Sequence, residues 1–186
     1  FLPCSLNESL NNSNNDLLGV PADQEGLGAT LASLQTQIDN TGAGRTLSLT
    51  EDYVVGANTA EYAKSTIDKN IEIRGWAPNW WGGGDYTYRT INANGRGCLI
   101  EITGARTVTF RYIIFSNAGI GQNEGAAIIA DSGCTLVFDH CIFENNHHNG
   151  NGGAIALNGG GTGTFTDCEF IGNHASGDGG AIFAAG

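Results

Sequence analysis

The chain has 186 residues, of which 40% are hydrophobic, so it is long enough for one domain with a sizeable core. Eight basic and nineteen acidic residues give a formal net charge of −11 at pH 7, which disfavours nucleic acid and anionic membranes as partners. Apolar stretches such as Ala126–Ala130 are far shorter than the roughly 20 residues that cross a bilayer. We therefore expect one compact domain, with no membrane insertion by this segment.

The first 26 residues are rich in asparagine and serine and contain few large apolar residues. Such a composition predicts an extended polar arm or a disordered tail. Asn7 and Asn11 each begin an Asn-x-Ser triplet, so both are candidate N-glycosylation sites in this arm.

The segment after the arm carries the pattern of a short amphipathic helix. Leu31, Leu34 and Ile38 recur at helical spacing, and Thr30 is a suitable N-cap. This pattern predicts a helix at about residues 28–40, which caps the first coil of a domain that spans residues 27–186.

Short strands between Gly and Asn turns are predicted after the helix, so the coil path is expected to start near residue 45. The predicted strands are Thr46–Leu49, Ile71–Ile73, Leu99–Ile102 and Val108–Phe110.

One stretch within residues 76–88 concentrates aromatic side chains beside glycines. Aromatic rings with polar edges bind sugars or protein partners well, so this stretch is the best candidate recognition surface. The alternative is that the loop folds back and seals an open side of the coil. The candidate binding residues are Trp76, Trp80, Trp81, Tyr86 and Tyr88.

The C-terminal half contains an internal repeat, which indicates a stacked architecture. Residues 107–133, 134–161 and 162–186 align as three units, with Phe115, Phe143 and Phe170 in register at spacings of 28 and 27 residues. If each unit forms one coil, equivalent residues stack about 4.8 Å apart as interior ladders. The sequence therefore predicts an all-β protein: a right-handed, single-stranded parallel β-helix with a short N-terminal capping helix.

Alternation within the second unit shifts by one residue near His140, which predicts a bend between two strands. The same pattern places Cys141 and Cys168 at equivalent interior positions of successive coils. The coil spacing allows a disulfide between them, but parallel side-chain directions also suit two free thiols. The sequence leaves this choice open.

Repeated motifs resemble the FxxN and GGAI repeats of the polymorphic outer-membrane protein family. They are Phe143-x-x-Asn146 and Phe170-x-x-Asn173, and the glycine pairs that begin Gly152-Gly153-Ala154-Ile155 and Gly179-Gly180-Ala181-Ile182. The first unit departs from them, with Ala118 in place of the asparagine and Ala126 in place of the second glycine. The resemblance implies a secreted β-helix at the cell surface with an adhesive or structural role, and no catalytic residues or cofactors.

A carbohydrate-active enzyme is the alternative class, because polysaccharide lyases and hydrolases also use β-helices. Asp139 and Asp167 are the carboxylates that neighbouring coils could bring together. A lyase also needs a basic residue near such a cluster, and Arg111 is the last arginine or lysine in the chain. We therefore expect no catalysis.

Metal binding is not expected either. The five cysteines form no CxxC pair. His147 and His174 occupy equivalent positions of successive units, but solvent-facing turn residues are the favoured interpretation.

The sequence stops at Gly186, soon after a glycine-pair motif that should begin another strand. Open solenoid ends expose unpaired backbone groups, so we expect either further repeats in a longer chain or end-to-end self-association as a surface fibre. The remaining expected partner is a glycan or a protein on a host or other surface.

Overall fold

The computed structural model describes residues 29–55, 64–119 and 126–186. These residues form a parallel β-solenoid of about five turns with one short helix near its N-terminal end. The predicted fold class, a β-helix with an N-terminal helix, is confirmed. The predicted arm at residues 1–26 and the candidate glycosylation sites Asn7 and Asn11 lie outside the described residues.

The coils contribute strands to three sheets. Sheet 1 contains β2 (Thr46–Leu49), β5 (Ile71–Pro78), β9 (Thr107–Arg111), β12 (Thr135–Asp139) and β16 (Thr162–Thr166). Sheet 2 contains β1 (Ala29–Thr30), β3 (Tyr53–Val54), β7 (Arg89–Asn92), β10 (Ile113–Ser116), β13 (Ile142–Glu144) and β17 (Glu169–Ile171). Sheet 3 contains β4 (Ser65–Ile67), β8 (Ile100–Ile102), β11 (Ile128–Ala130), β15 (Ile155–Leu157) and β19 (Ile182–Ala184).

Three further strands are present among the described residues. They are β6 (Gly84–Tyr86), which pairs with β5, and the two-stranded pair of β14 (His147–His148) and β18 (His174–Ala175). His147 and His174 therefore lie in short strands, which corrects the prediction that they are turn residues. His147 is half-buried, whereas His174 is exposed as predicted.

The predicted phenylalanine ladder lies inside the solenoid. Phe115 pairs in register with Phe143, which pairs with Phe170, and both ring pairs stack with centroids 4.9 Å apart. A second column of Phe110, Phe138 and Phe165 stacks beside it on sheet 1. The two columns meet edge to face, as Phe138 and Phe143 do at 5.3 Å. Aromatic pairs in these arrangements contribute beyond the area that they bury.

The asparagine of the FxxN motif connects neighbouring coils. The Asn146 side chain is fully buried. Its Nδ2 donates to the carbonyl oxygen of Phe115 at 3.0 Å, and its Oδ1 accepts from the backbone N–H of Ala118 at 3.0 Å. Nδ2 also lies 3.0 Å from Oδ1 of Asn173 in the next coil. The motif therefore satisfies backbone groups at a corner where the strands do not pair.

The paired glycines of the GGAI motif are required by close backbone approach. Gly152 has φ of +78°, a conformation that L side chains rarely adopt. A Cβ at Gly153 would lie 2.2 Å from the carbonyl oxygen of Gly180 in the next coil. These two glycines let the coils stack at the corner that precedes sheet 3.

The helix α1 (Leu31–Asn40) covers the first coil. Its N-cap Thr30 accepts a hydrogen bond from the backbone N–H of Ser33 through its side chain, as predicted. Leu31, Leu34 and Ile38 are buried in the core. The helix begins at Leu31 and not at about residue 28, because the Thr30 cap fixes its start.

The solenoid begins earlier than predicted. β1 precedes α1 and pairs in parallel with β3, so sheet 2 starts at Ala29 and not near residue 45. A two-residue strand before a helix carries no periodicity of its own, and only its pairing with Tyr53–Val54 defines it.

Candidate functional site

The aromatic segment forms a β-hairpin that leaves the coil path. β5 and β6 pair antiparallel, whereas the other strand pairs in the described part of the chain are parallel. At the turn, Oδ1 of Asn79 accepts from the backbone N–H of Gly83 at 2.9 Å, and Gly82 adopts φ of +84°. We call residues 76–86 the hairpin arm.

The tip of the hairpin arm carries two exposed tryptophans. Trp80 and Trp81 are 82% and 75% exposed, and their ring centroids lie 3.4 Å apart with an interplanar angle of 25°. Stacking covers one face of each ring and leaves the outer faces to solvent. Large aromatic side chains with this exposure mark a surface suited to recognition.

The base of the hairpin arm packs against the solenoid. Trp76 meets Tyr86 edge to face at 5.5 Å, and the guanidinium carbon of Arg74 lies 4.3 Å from the Trp76 ring centroid. Tyr86 stacks on Tyr112 at 4.9 Å, and Tyr88 contacts the same ring at 5.5 Å. The base therefore holds the arm in a fixed direction.

The five candidate binding residues thus divide into two groups. Trp80 and Trp81 form the tip, whereas Trp76, Tyr86 and Tyr88 take part in anchoring. The alternative interpretation, in which the loop folds back over the coil, describes the base but not the tip. This division could not be predicted from the sequence, because Tyr112, which anchors the arm, comes from a different coil.

A ladder of polar and aromatic residues continues from this base along one corner of the solenoid. Tyr112, His140 and Asp167 form this corner ladder, and they adopt φ values of +53°, +51° and +50° where the chain turns from sheet 1 to sheet 2. The rings of Tyr112 and His140 stack at 4.7 Å. The one-residue shift predicted near His140 is this turn.

Charged groups surround the histidine of the corner ladder. Nδ1 of His140 lies 2.7 Å from Oδ1 of Asp139, and Nε2 lies 3.8 Å from Oδ2 of Asp167. Arg111 pairs with Asp139 and, at 3.6 Å, with Glu72. The two carboxylates that the sequence singled out therefore flank one imidazole, and the basic residue Arg111 pairs with one of them, Asp139.

The remaining histidine prediction concerns His147 and His174. Their strands pair in register and their rings lie 4.9 Å apart, so the predicted stacking is confirmed.

Within the described ranges, no group of three or more His, Cys, Asp or Glu side chains is arranged to hold a metal ion. In the same residues, no helix is long and apolar enough to span a bilayer.

Comparisons with known proteins leave the family unassigned. No protein-family model matches the chain, and searches of curated proteins and of solved structures give no match.

Proposed function

We propose that this protein is an extracellular structural or adhesive surface protein, in which the β-solenoid carries the hairpin arm as its recognition element. The observation that carries the proposal is the pair of exposed, stacked tryptophans at the tip of an anchored arm. Trp80 and Trp81 present flat apolar faces at little entropic cost on binding, because the arm is already held in place. The resemblance of the repeats to surface adhesins supports the same role.

The partner that we propose is a glycan or a protein on another surface. The net charge of −11 opposes anionic polymers. The outer faces of Trp80 and Trp81 suit the apolar face of a neutral sugar ring or an apolar side chain of a protein.

The test is binding of the whole chain to arrays of neutral glycans and to intact cells. We expect the Trp80→Ala/Trp81→Ala double variant to bind at least about tenfold more weakly, which corresponds to about 1.4 kcal/mol. Thr46→Ala is the control, because Thr46 is exposed on β2 of the same sheet 1 and lies outside the hairpin arm. Equal binding by the wild-type protein and the double variant would refute the adhesive role of the tip.

A second candidate function is cleavage of an extracellular glycan by a β-helical lyase or hydrolase. The observation that favours it is the placement of Asp139 and Asp167 on either side of His140. An imidazole oriented by a carboxylate is a suitable general base. However, Arg111 is already paired with two carboxylates, which leaves it poorly suited to neutralise an acidic substrate.

Turnover assays separate the two functions. We expect no release of reducing ends or unsaturated products from neutral or pectin-like polysaccharides. Turnover that disappears in Asp139→Ala or Asp167→Ala, with binding retained, would establish the enzyme in place of the adhesin.

A further inference from the structure

Two cysteines of successive coils lie side by side in the interior of the solenoid. The register of β13 and β17 pairs Ile142 with Glu169, and the backbone N–H of Glu169 donates to the carbonyl oxygen of Cys141 at 2.9 Å. Cys141 and Cys168, which directly precede the paired residues, therefore occupy equivalent positions. Neighbouring strands lie about 4.8 Å apart, which is within the Cα separation of about 4.4–6.8 Å that a disulfide requires.

The two thiols are also close enough to affect each other's ionisation. Cys141 is fully buried, and Cys168 packs against the core cluster while remaining partly exposed. The hydrogen bond with Cys168 and burial raise the pKa of the Cys141 thiol, whereas the same bond lowers the pKa of Cys168. A thiol of low pKa beside a second thiol is the arrangement from which disulfide exchange proceeds.

The other described cysteines lack such a neighbour. The register of their strands places Cys98 level with Ala126 and Cys134 level with Gly161 in the following coil. Their thiols donate to the backbone carbonyl oxygens of Ile100 and Gly104. The thiols of Cys141 and Cys168 also donate to backbone carbonyl oxygens, so the neighbouring thiol is what distinguishes that pair. Burial raises the pKa of Cys98 to about 12, which makes its thiolate scarce at neutral pH.

We propose that Cys141 and Cys168 form a disulfide in an oxidising environment, and that this bond links two successive coils covalently. This site is independent of the hairpin arm. Both cysteines are free in this structure.

A small-molecule disulfide such as oxidised glutathione supplies the oxidant. The Cys168 thiolate attacks one sulfur of that disulfide, forms a mixed disulfide and releases one glutathione thiolate. Cys141 then loses its proton and attacks Sγ of Cys168, which forms the intrachain bond and releases the second glutathione. Two protein thiols are oxidised, and one glutathione disulfide is reduced to two thiols.

The test is peptide mapping of the whole chain after incubation with oxidised glutathione. Chymotrypsin cleaves after phenylalanine, so it isolates Cys141 in residues 139–143 and Cys168 in residues 166–170. We expect these two peptides to be linked without reductant and separate after reduction. The link should disappear in Cys168→Ser and persist in the Cys98→Ser/Cys134→Ser control.

Stability measurements test whether the disulfide stabilises the solenoid. The bond closes a loop of one coil, so we expect the oxidised protein to melt about 5–10 °C above the reduced one, with no such difference in Cys168→Ser. Recovery of residues 139–143 and 166–170 as separate alkylated peptides after oxidation would overturn the proposal. So would a linked protein whose melting temperature equals that of the reduced form.

Discussion

At the scale of single residues, the interior of the solenoid depends on side chains that serve two coils at once. Asn146 is the best example, because its amide satisfies the carbonyl of Phe115 and the N–H of Ala118 in the preceding coil. The phenylalanines of the core stack on neighbours above and below in the same way. A residue in such a position stabilises its own coil only when the adjacent coil is in register.

Replacement of Asn146 by alanine tests this dependence. The variant leaves a buried carbonyl and a buried N–H without their partner, and each loss costs about 1–3 kcal/mol. We therefore expect Asn146→Ala to lower the free energy of unfolding by about 2–5 kcal/mol in urea titrations. Asn158→Ala is the control, because Asn158 is exposed, and it should change stability by less than about 0.5 kcal/mol. A loss equal to that of the control would contradict the role of the asparagine.

The sequence predicted the residue ladders well because identical side chains recur at a fixed period. The stacking of Phe115, Phe143 and Phe170 could be predicted from the number of residues that separates them. The corner ladder was not predicted as a unit, since Tyr112, His140 and Asp167 share a backbone conformation but not a residue type. Its contacts could be recognised only after the turns were placed at one corner.

At the scale of elements, the capping helix completes the edge of sheet 3. Oε1 of Gln35 accepts from the backbone N–H of Thr66 at 2.6 Å, and its Nε2 donates to the carbonyl oxygen of the same residue at 3.2 Å. One side-chain amide thus takes the place of a neighbouring strand for β4. Lys69 binds the other end of the helix, where its Nζ donates to the carbonyl oxygens of Ile38, Asp39 and Thr41.

The hairpin arm shows why elements outside the repeat were harder to predict. Its strands have no counterpart in the other coils, so no repeat unit could define them. Gly75 and Gly84 permit the hairpin, since a Cβ at Gly84 would lie 2.3 Å from Nε1 of Trp76. Its composition indicated a recognition surface, but only the tertiary contacts separate the tip from the base.

The anchor of the arm can be removed without disturbing the core. Tyr112 has φ of +53°, which asparagine adopts more readily than most residues, so Tyr112→Asn removes the ring with little added backbone strain. We expect amide hydrogen exchange in the arm to accelerate about tenfold, which corresponds to about 1.4 kcal/mol of lost stacking. Thr109→Ala in the same coil is the control. Unchanged exchange at Trp76 and Tyr86 would show that the Tyr112 ring does not anchor the arm.

At the scale of the whole molecule, the two ends of the solenoid differ. The first coil is covered by α1, whose residues complete the edge of sheet 3. At the other end, β16, β17 and β19 have a neighbouring strand on one side only among the described residues. Phe165, Phe170 and Ile182 are only partly buried there, although their counterparts one coil earlier are inaccessible. Unpaired edges with adjacent apolar rings are templates for another strand.

This asymmetry predicts that a polypeptide of residues 1–186, prepared by itself, associates through the edge formed by β16, β17 and β19. Pairing of that edge with the same edge of a second copy covers both the backbone groups and the partly buried rings. We therefore expect sedimentation to show association that increases with concentration, and electron microscopy to show particles paired through that edge. Ile171→Lys places a charge on the edge strand β17 at a side chain that is already 49% exposed, so it should weaken association about tenfold while preserving the fold. Thr46→Lys, on the strand at the opposite end of sheet 1, is the control and should leave association unchanged. Because the expected association requires the edge formed by β16, β17 and β19, a monomer that persists at high concentration in both the wild-type protein and the control would contradict this prediction.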